Sequence, residues 1–149
     1  MKIGILSDTH GVFRNEWGSY LRDCDYLIHA GDVHTKECYE TIKALGIPLY
    51  LVRGNNDIGR WAKYLPEFLQ VSISGKIFFI IHDEMYLTAD VSQADFVIFG
   101  HTHHFTTYER GKTVFINPGS TTQGRGDSTS LVLLTLTEND YQLRRILLS

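Results

Sequence analysis

The stretch Phe96-Val97-Ile98-Phe99-Gly100-His101-Thr102-His103 joins a short apolar run to two histidines that are separated by one residue. In an extended segment, residues two apart point to the same side, so both imidazoles would face one ligand. Neutral imidazole is a common ligand for divalent metals. The stretch therefore predicts a buried strand that ends at a metal site, with further ligands supplied from elsewhere in the chain.

The first half of the chain alternates between predicted strands and predicted helices. Short apolar runs over 2–7, 26–30 and 49–52 predict buried strands, and the segments 13–23 and 35–45 predict helices. These strands are followed by side chains that can bind a metal, namely Asp8, His10, Asp32 and Asn55. Because the carboxyl ends of parallel strands meet at the same edge of a sheet, we expect these side chains to converge.

The second half is mostly predicted β-structure. Strands are predicted over 68–73, 76–81, 95–99, 105–109, 113–116, 130–137 and 141–148. Short helices are predicted over 58–65 and 85–93, and the strand over 76–81 runs directly into His82. The fold class that follows is α/β, with two packed mixed β-sheets flanked by helices, in a single domain over residues 1–149.

Composition excludes several classes of protein. The chain has 149 residues, of which 43% are hydrophobic and 21% charged, and a formal net charge of −3. This is an ordinary globular balance, and without a basic run it does not predict binding to long nucleic acids. The apolar start is too short for a signal peptide or a membrane span, so a cytoplasmic protein with no membrane partner is expected. Cys24 and Cys38 show no paired spacing and are interpreted as reduced thiols.

The strand ends together supply more donor groups than one zinc ion takes. The predicted metal ligands are Asp8, His10, Asp32, Asn55, His82, His101 and His103. Such a set suits two cations that share a carboxylate, and two cations about 3.5–4 Å apart could activate a water and clamp a phosphoryl group. Carboxylate, amide oxygen and imidazole favour manganese, with nickel, iron, cobalt or zinc as alternatives, and the absence of thiolate argues against a structural zinc.

Five blocks of this sequence resemble those of the calcineurin-like metallophosphoesterases. They are Asp8-x-His10, Gly31-Asp32, Gly54-Asn55-x-Asp57, His82 at a strand end, and Gly100-His101-x-His103. The small size, the Gly54-Asn55-Asn56-Asp57 form and the segment Asn117-Pro118-Gly119-Ser120 are similar to the short bacterial and archaeal phosphodiesterase branch. The match covers almost the whole chain, and any single block would carry much less weight than all five in order.

The resemblance implies a role for each block. One cation would be held by Asp8, His10, Asp32 and His103, and the other by Asp32, Asn55, His82 and His101. Asp32 would bridge the two, and a hydroxide between them would attack a phosphodiester. Asn55 would bind through its carbonyl oxygen and turn its amide nitrogen to the substrate. Asp57 would orient a histidine or a water. The implied catalytic residues are therefore Asp32, Asn55, His82 and Asp57.

Two positions depart from the family pattern. Larger relatives often carry a histidine after the Gly-Asn pair that protonates the leaving oxygen, whereas this chain has Asn56, which cannot. General acid catalysis is worth roughly 10²–10⁴-fold, so a good leaving group, slow turnover or another acid such as His104 is expected. Where the branch often has His-Gly-His, this chain has His82-Asp83-Glu84, and two acids beside the site would disfavour very anionic substrates.

Several alternatives stay open at this point. Arg125 is expected to hold substrate phosphate about as readily as to be a solvated side chain, and for Arg53 the solvated interpretation is favoured. His29 and His34 are interpreted as neighbours of the site and not as ligands. A phosphomonoesterase or nuclease of the same fold is an alternative, as is a non-catalytic scaffold such as the retromer subunit of this fold. The expected partner is a small phosphodiester, and the oligomeric state, including a homo-oligomer, is left open.

Overall fold

The computed structural model describes residues 1–148, which form two α-helices, ten strands and three short 3₁₀ turns. The first half comprises β1 (Lys2–Leu6), α1 (Asn15–Leu21), β2 (Tyr26–His29), α2 (Lys36–Lys43) and β3 (Leu49–Leu51). The second half comprises β4 (Phe68–Ile73), β5 (Lys76–Ile81), β6 (Phe96–Ile98), β7 (Thr106–Arg110), β8 (Thr113–Asn117), β9 (Thr129–Leu136) and β10 (Tyr141–Leu148). The predicted order of strands is confirmed.

The strands form two mixed five-stranded sheets. The first has the order β10-β9-β1-β2-β3 and the second the order β4-β5-β6-β8-β7. Each sheet contains three neighbouring parallel strands, β1, β2 and β3 in the first and β5, β6 and β8 in the second. The predicted ligands follow the carboxyl ends of five of these six strands, all except β8, which is where open α/β sheets place their ligands.

The sheets pack face to face over an aliphatic and aromatic core. Alternate residues of the strands point inward from both sheets, including Ile5, Ile28, Phe78 and Ile98, all fully buried. A second apolar layer lies on the outer face of the first sheet, where Trp17 and Leu21 of α1 and Cys38 and Ile42 of α2 pack. The predicted fold class is therefore confirmed, with both helices on one outer face.

Two predicted helices are wrong. In place of a helix over 58–65 there is a single 3₁₀ turn, Arg60–Ala62, because Gly59 has a φ of 107° and Pro66 follows closely. In place of a helix over 85–93 there are two 3₁₀ turns, Glu84–Tyr86 and Val91–Gln93.

The second of these segments is interrupted by its own side chains. Asp83 accepts a hydrogen bond from the Met85 backbone, and Asp90 accepts from both the backbone and the hydroxyl of Ser92. Such local bonds compete with the helical pattern, so the connection remains a pair of short turns. These turns cover the outer face of the second sheet.

Within residues 1–148, no helix is long and apolar enough to cross a membrane. Cys24 and Cys38 are both buried and unpaired in this part of the chain. Burial raises the pKa of the Cys24 thiol to about 11.

Candidate metal centre

Tight turns at the strand ends aim the predicted ligands at one another. Asp8, His10, Asp32, His101 and His103 all have positive φ angles, between 46° and 74°. Residues with a Cβ seldom adopt this conformation, which costs of the order of 1–3 kcal/mol each and persists only where the surroundings enforce it. The concentration of such angles at five of the seven predicted ligands shows that the fold holds these turns against a local cost.

Two glycines allow the turns to approach closely. A Cβ on Gly54 would collide with the backbone and carboxylate of Asp32, and one on Gly100 would collide with Ser7 and the Asp8 carboxylate. These collisions give a physical reason for the Gly-Asn and Gly-His blocks of the sequence. Any side chain at either position would push a ligand loop away from the centre.

The first group of donors surrounds Asp8. The Asp8 Oδ1 atom lies 3.2 Å from His103 Nε2 and 3.6 Å from His10 Nε2, and the two Nε2 atoms are 3.2 Å apart. Asp8 is fully buried and His103 nearly so. We call Asp8, His10 and His103 the first group.

The second group of donors lies beside it and is more open. His82 Nε2 lies 3.0 Å from Asn55 Oδ1 and 3.3 Å from His101 Nδ1. Asn55 is exposed, and the His101 side chain is 42% exposed. We call Asn55, His82 and His101 the second group.

Asp32 lies between the two groups. Its Oδ2 atom is 3.7 Å from His10 Nε2 in the first group and 3.4 Å from His82 Nε2 in the second. Asp8 is also within reach of both, but its distance to His82 Nε2 is longer, at 3.9 Å. The carboxylate of Asp32 is thus placed to serve both groups, as the resemblance implies.

The donor set fits divalent cations. Ligand atoms held about 2.1 Å from one ion lie roughly 3–3.5 Å apart, which is close to the separations within each group. The Asp8 Oδ1 atom is buried and accepts no hydrogen bond from the described residues. Burying a carboxylate oxygen without a hydrogen-bond donor costs free energy. A cation bound between this oxygen and the surrounding imidazole nitrogens would supply the missing partner. Two subsets, Asp8-His10-His103 and Asp8-Asp32-His82, have donor atoms close enough to share an ion.

Outer hydrogen bonds fix how the imidazoles face the centre. The Nδ1 atom of His82 is 2.7 Å from the Ala30 carbonyl oxygen, and that of His103 is 2.6 Å from the Gln123 carbonyl oxygen. A carbonyl only accepts, so in both rings Nδ1 carries the proton and Nε2 keeps its lone pair for a metal.

The other two imidazoles are held differently. His10 Nδ1 faces the Nδ1 atom of His34 at 3.4 Å. The ring of His101 is reversed: Nδ1 faces the second group and Nε2 lies 3.6 Å from Asp83. Asp83, one of the departures from the family pattern, therefore supports a predicted ligand.

Asn56 holds the shared carboxylate. Its backbone N–H donates to Asp32 Oδ1 and its side-chain amide donates to Asp32 Oδ2, both over 2.9 Å. The position that could have supplied a leaving-group acid thus orients Asp32 instead. Sequence reasoning excluded Asn56 as an acid but gave no signal for this role.

Asp57 supports three backbone segments, and its predicted role in orienting a histidine or a water stays a prediction. The fully buried carboxylate accepts hydrogen bonds from the backbone N–H groups of Asp32, Gly54 and His34, over 2.8–2.9 Å. Burial raises its pKa even though these bonds favour the charged form. Asp57 therefore joins the loops that carry Asp32 and Asn55.

The electrostatics of the centre favour bound positive charge. Burial alone would raise the pKa of Asp8, but the nearby imidazoles of His10, His103 and His82 hold it well below its usual range. Burial also opposes the ionised form of Asp32, yet His82 and Asn56 lower its pKa. The pKa of His82 is raised despite burial, chiefly through Asp32. The two carboxylates thus stay ionised and draw cations or protons to the imidazoles.

A turn after β8 braces both ligand loops. The Asn117 side chain donates to the Gly100 carbonyl and to the Thr102 hydroxyl, and the Ser120 hydroxyl donates to the Asp8 carbonyl. The segment Asn117-Pro118-Gly119-Ser120, which contributes to the family resemblance, therefore holds the two loops that carry ligands.

Comparison with known proteins agrees with this geometry. The model of the calcineurin-like phosphoesterase superfamily domain matches residues 1–139. The chain belongs to the calcineurin-like phosphoesterase superfamily. A probable metallophosphoesterase of Methanothermobacter thermautotrophicus is 30% identical, over 91% of this chain and 86% of that protein.

Two solved structures illustrate the breadth of the likeness. An archaeal phosphodiesterase has a TM-score of 0.80 and 26% identity, covering 98% of this chain and 100% of that one. Vps29 from Chaetomium thermophilum has a TM-score of 0.79 but only 16% identity, covering 98% of this chain and 95% of that one. The second likeness shows the fold alone.

The structure also distinguishes the two arginines that the sequence left open in this phosphoesterase. Arg53 lines a cleft beside the second group, together with Asn55, His82 and His101. Arg125 is exposed and is not part of the cleft wall. Arg53 is therefore placed where it could contact a bound substrate, and substrate binding by either arginine stays a prediction.

His104 gains no support as an acid. Its backbone N–H binds the Thr102 hydroxyl, and its ring makes no hydrogen bond within the described part of the chain. The ring of His34, in contrast, lies beside that of the predicted ligand His10.

Proposed function

We propose that this phosphoesterase hydrolyses phosphodiester bonds with two divalent cations, one at each donor group, bridged by Asp32. The observation that carries the proposal is the position of Asp32 Oδ2, 3.7 Å from the nearest imidazole of the first group and 3.4 Å from that of the second. When bound, such a pair of cations supplies a water of lowered pKa and neutralises the charge of the phosphoryl oxygens.

Different residues of the chain would bind the two cations, contact the substrate and support the ligands. Asp8, His10 and His103 would hold one cation and Asn55, His82 and His101 the other, with Asp32 shared. The Asn55 side-chain nitrogen makes no hydrogen bond within residues 1–148, and the residue lines the cleft, so it can donate to a substrate phosphoryl oxygen. Asn56 and Asp57 keep Asp32 and its loop in place.

The charge around the cleft supports a diester as substrate. The wall contains Glu67 and Asp83 but only one arginine, Arg53. A diester carries one negative charge, whereas a monoester near neutral pH approaches two and meets more repulsion from these carboxylates. The preference against very anionic substrates was predicted from Asp83 and Glu84; of these only Asp83 lies in the cleft wall, because Glu84 accepts a hydrogen bond from the Tyr108 hydroxyl.

The leaving group would depart with little help from this chain. Asn56 is fully engaged with Asp32 and is not an acid. Without general acid catalysis, worth roughly 10²–10⁴-fold, turnover should fall steeply as the leaving alcohol becomes a poorer leaving group.

A direct comparison of substrates tests the proposal. Metal-free protein is supplemented in turn with manganese, nickel, iron, cobalt or zinc, and hydrolysis of bis(p-nitrophenyl) phosphate is compared with that of p-nitrophenyl phosphate. We expect metal-dependent hydrolysis, with a higher kcat/KM for the diester. Faster hydrolysis of the monoester would favour a phosphomonoesterase. Hydrolysis of neither ester with any of the metals would favour the non-catalytic scaffold.

A further inference from the structure

A cleft of about 470 Å³ opens beside the second group. Its inner wall is formed by Asn55, His82 and His101, and its outer wall includes Arg53, Glu67, Asp83 and Tyr86. Pockets of 300–1,000 Å³ bind small organic molecules. The cleft is thus large enough for one of the two ester substituents of a phosphodiester whose phosphate lies at the donor groups.

Tyr86 presents a free aromatic ring at the mouth of this cleft. Its side chain is 77% exposed, and its hydroxyl makes no hydrogen bond to the described residues. The turn beneath it is fixed, because Asp83 accepts from the Met85 backbone and its own carbonyl accepts from Tyr86. An exposed ring on this turn offers a stacking surface for a flat group such as a nucleobase.

Arg53 and Glu67 add polar groups of opposite charge to the lining of the cleft. The Arg53 Nε atom donates to the Asp57 carbonyl over 3.2 Å, while its terminal nitrogens make no ion pair or hydrogen bond within residues 1–148. The Arg53 backbone binds the Pro66 carbonyl, which places Glu67 on the same rim. The Glu67 carboxylate is likewise unpaired in the described chain.

The mixture of groups selects among substituents. A chain of further phosphates would face two carboxylates against one guanidinium, and an acyl chain would bury those charges without partners. A nucleoside offers a flat base for Tyr86, sugar hydroxyls that donate to a carboxylate such as Glu67, and base carbonyls that accept from Arg53. It offers a partner to Tyr86, Glu67 and Arg53.

We infer that this cleft binds the nucleoside substituent of a nucleotide phosphodiester, with the base on Tyr86 and the sugar at Glu67. The inference rests on the proposed function and names its substrate class. Arg53, Glu67 and Tyr86 act here as specificity residues, because they contact the substituent and not the reacting phosphorus.

A kinetic ratio isolates this contribution. Thymidine 5′-(p-nitrophenyl phosphate) and methyl p-nitrophenyl phosphate share one leaving group and differ only in the other substituent. We expect the thymidine ester to have the higher kcat/KM, and the ratio of the two values to fall about tenfold in Tyr86→Ala. Tyr64→Ala is the matched control, because Tyr64 is 87% exposed but lies outside the cleft wall. An unchanged ratio in Tyr86→Ala would overturn the inference.

A binding measurement separates this inference from the proposed function. The methyl ester of thymidine 5′-phosphate is titrated calorimetrically into manganese-loaded protein, so no turnover is needed. We expect about tenfold weaker binding to Tyr86→Ala than to the unmodified protein or to Tyr64→Ala. This result, with no hydrolysis of any nitrophenyl ester, would leave the nucleoside site standing and refute the phosphodiesterase. Equal affinity in all three proteins would refute the nucleoside site.

Discussion

The first and second donor groups differ in their exposure to solvent. Asp8 and His103 of the first group are buried, and their atoms are braced by buried hydrogen bonds. In the second group Asn55 is exposed, and His101 faces the cleft with 42% of its side chain exposed. Under the proposed function, the difference indicates that the first group would retain its cation more firmly, whereas the second group would leave room for a substrate.

The strongest test removes the carboxylate of Asp32, which we propose is shared by the two groups. Asp32→Asn should lower kcat/KM by at least about 10³-fold, because losing several kcal/mol of charge stabilisation has that effect. It should also weaken manganese binding at both groups, measured by calorimetry on the metal-free protein. Asp23→Asn is the control, because Asp23 is exposed and belongs to neither donor group. Two undiminished binding steps in Asp32→Asn would show that the groups are independent.

Matched histidine variants test the comparison itself. His103→Gln removes a buried ligand and should weaken one manganese site by roughly 10²-fold, whereas His101→Gln should weaken the other by about tenfold, since water can replace an exposed ligand. Calorimetric titration of each variant gives the two affinities. A larger loss of manganese affinity in His101→Gln than in His103→Gln would contradict this comparison of the two groups.

Asp57 should stabilise the loops on which both donor groups depend. Asp57→Asn turns an amide NH₂ toward at least one of the three backbone donors and should lower the free energy of unfolding by roughly 2–3 kcal/mol. Asp25→Asn is the control, because Asp25 accepts a single exposed backbone bond, from Lys2, and its replacement should change stability by less than about 0.5 kcal/mol. Urea unfolding of the metal-free proteins measures both, and similar midpoints would contradict the role of Asp57.

Acid should loosen the loops of the first group through His29. This buried ring lies 3.1 Å from the Thr9 hydroxyl and accepts from the Gly31 backbone, and burial lowers its pKa to about 3. The neutral form is favoured in the folded state, so its stabilisation is complete above the unfolded value of 6.5 and is lost as pH falls toward 3.

The expected slope from this residue is about 1.4 kcal/mol per pH unit within that window. The free energy of unfolding of the metal-free protein, measured by urea from pH 4 to 7, should therefore depend less on pH in His29→Gln. Parallel curves for the two proteins would rule out His29 as the cause.

The periodicity of apolar residues was enough to predict the strands, because each buried strand needs a nearly continuous apolar run. It failed at 58–65 and 85–93, where Gly59 and the side chain of Asp90 favour local turns over a helix. Hydrophobic pattern alone does not register such competing hydrogen bonds.

The residues of the metal centre, like the secondary structure, could be predicted only in part. The seven donor residues could be named because each follows a strand and parallel strands end at one edge. The supporting residues could not, since the bonds of Asn56 to Asp32 and of Asp57 to three backbone amides join segments that sequence spacing does not relate.

The sequence by itself determined the fold class, the parallel strand ends and the kinds of atom gathered there. Only the tertiary structure decided which group is buried, which opens to a cleft, and that Arg53 and not Arg125 lines that cleft. The physical reason is that donor type is a property of a residue, whereas exposure and distance depend on loops that pack together from distant parts of the chain.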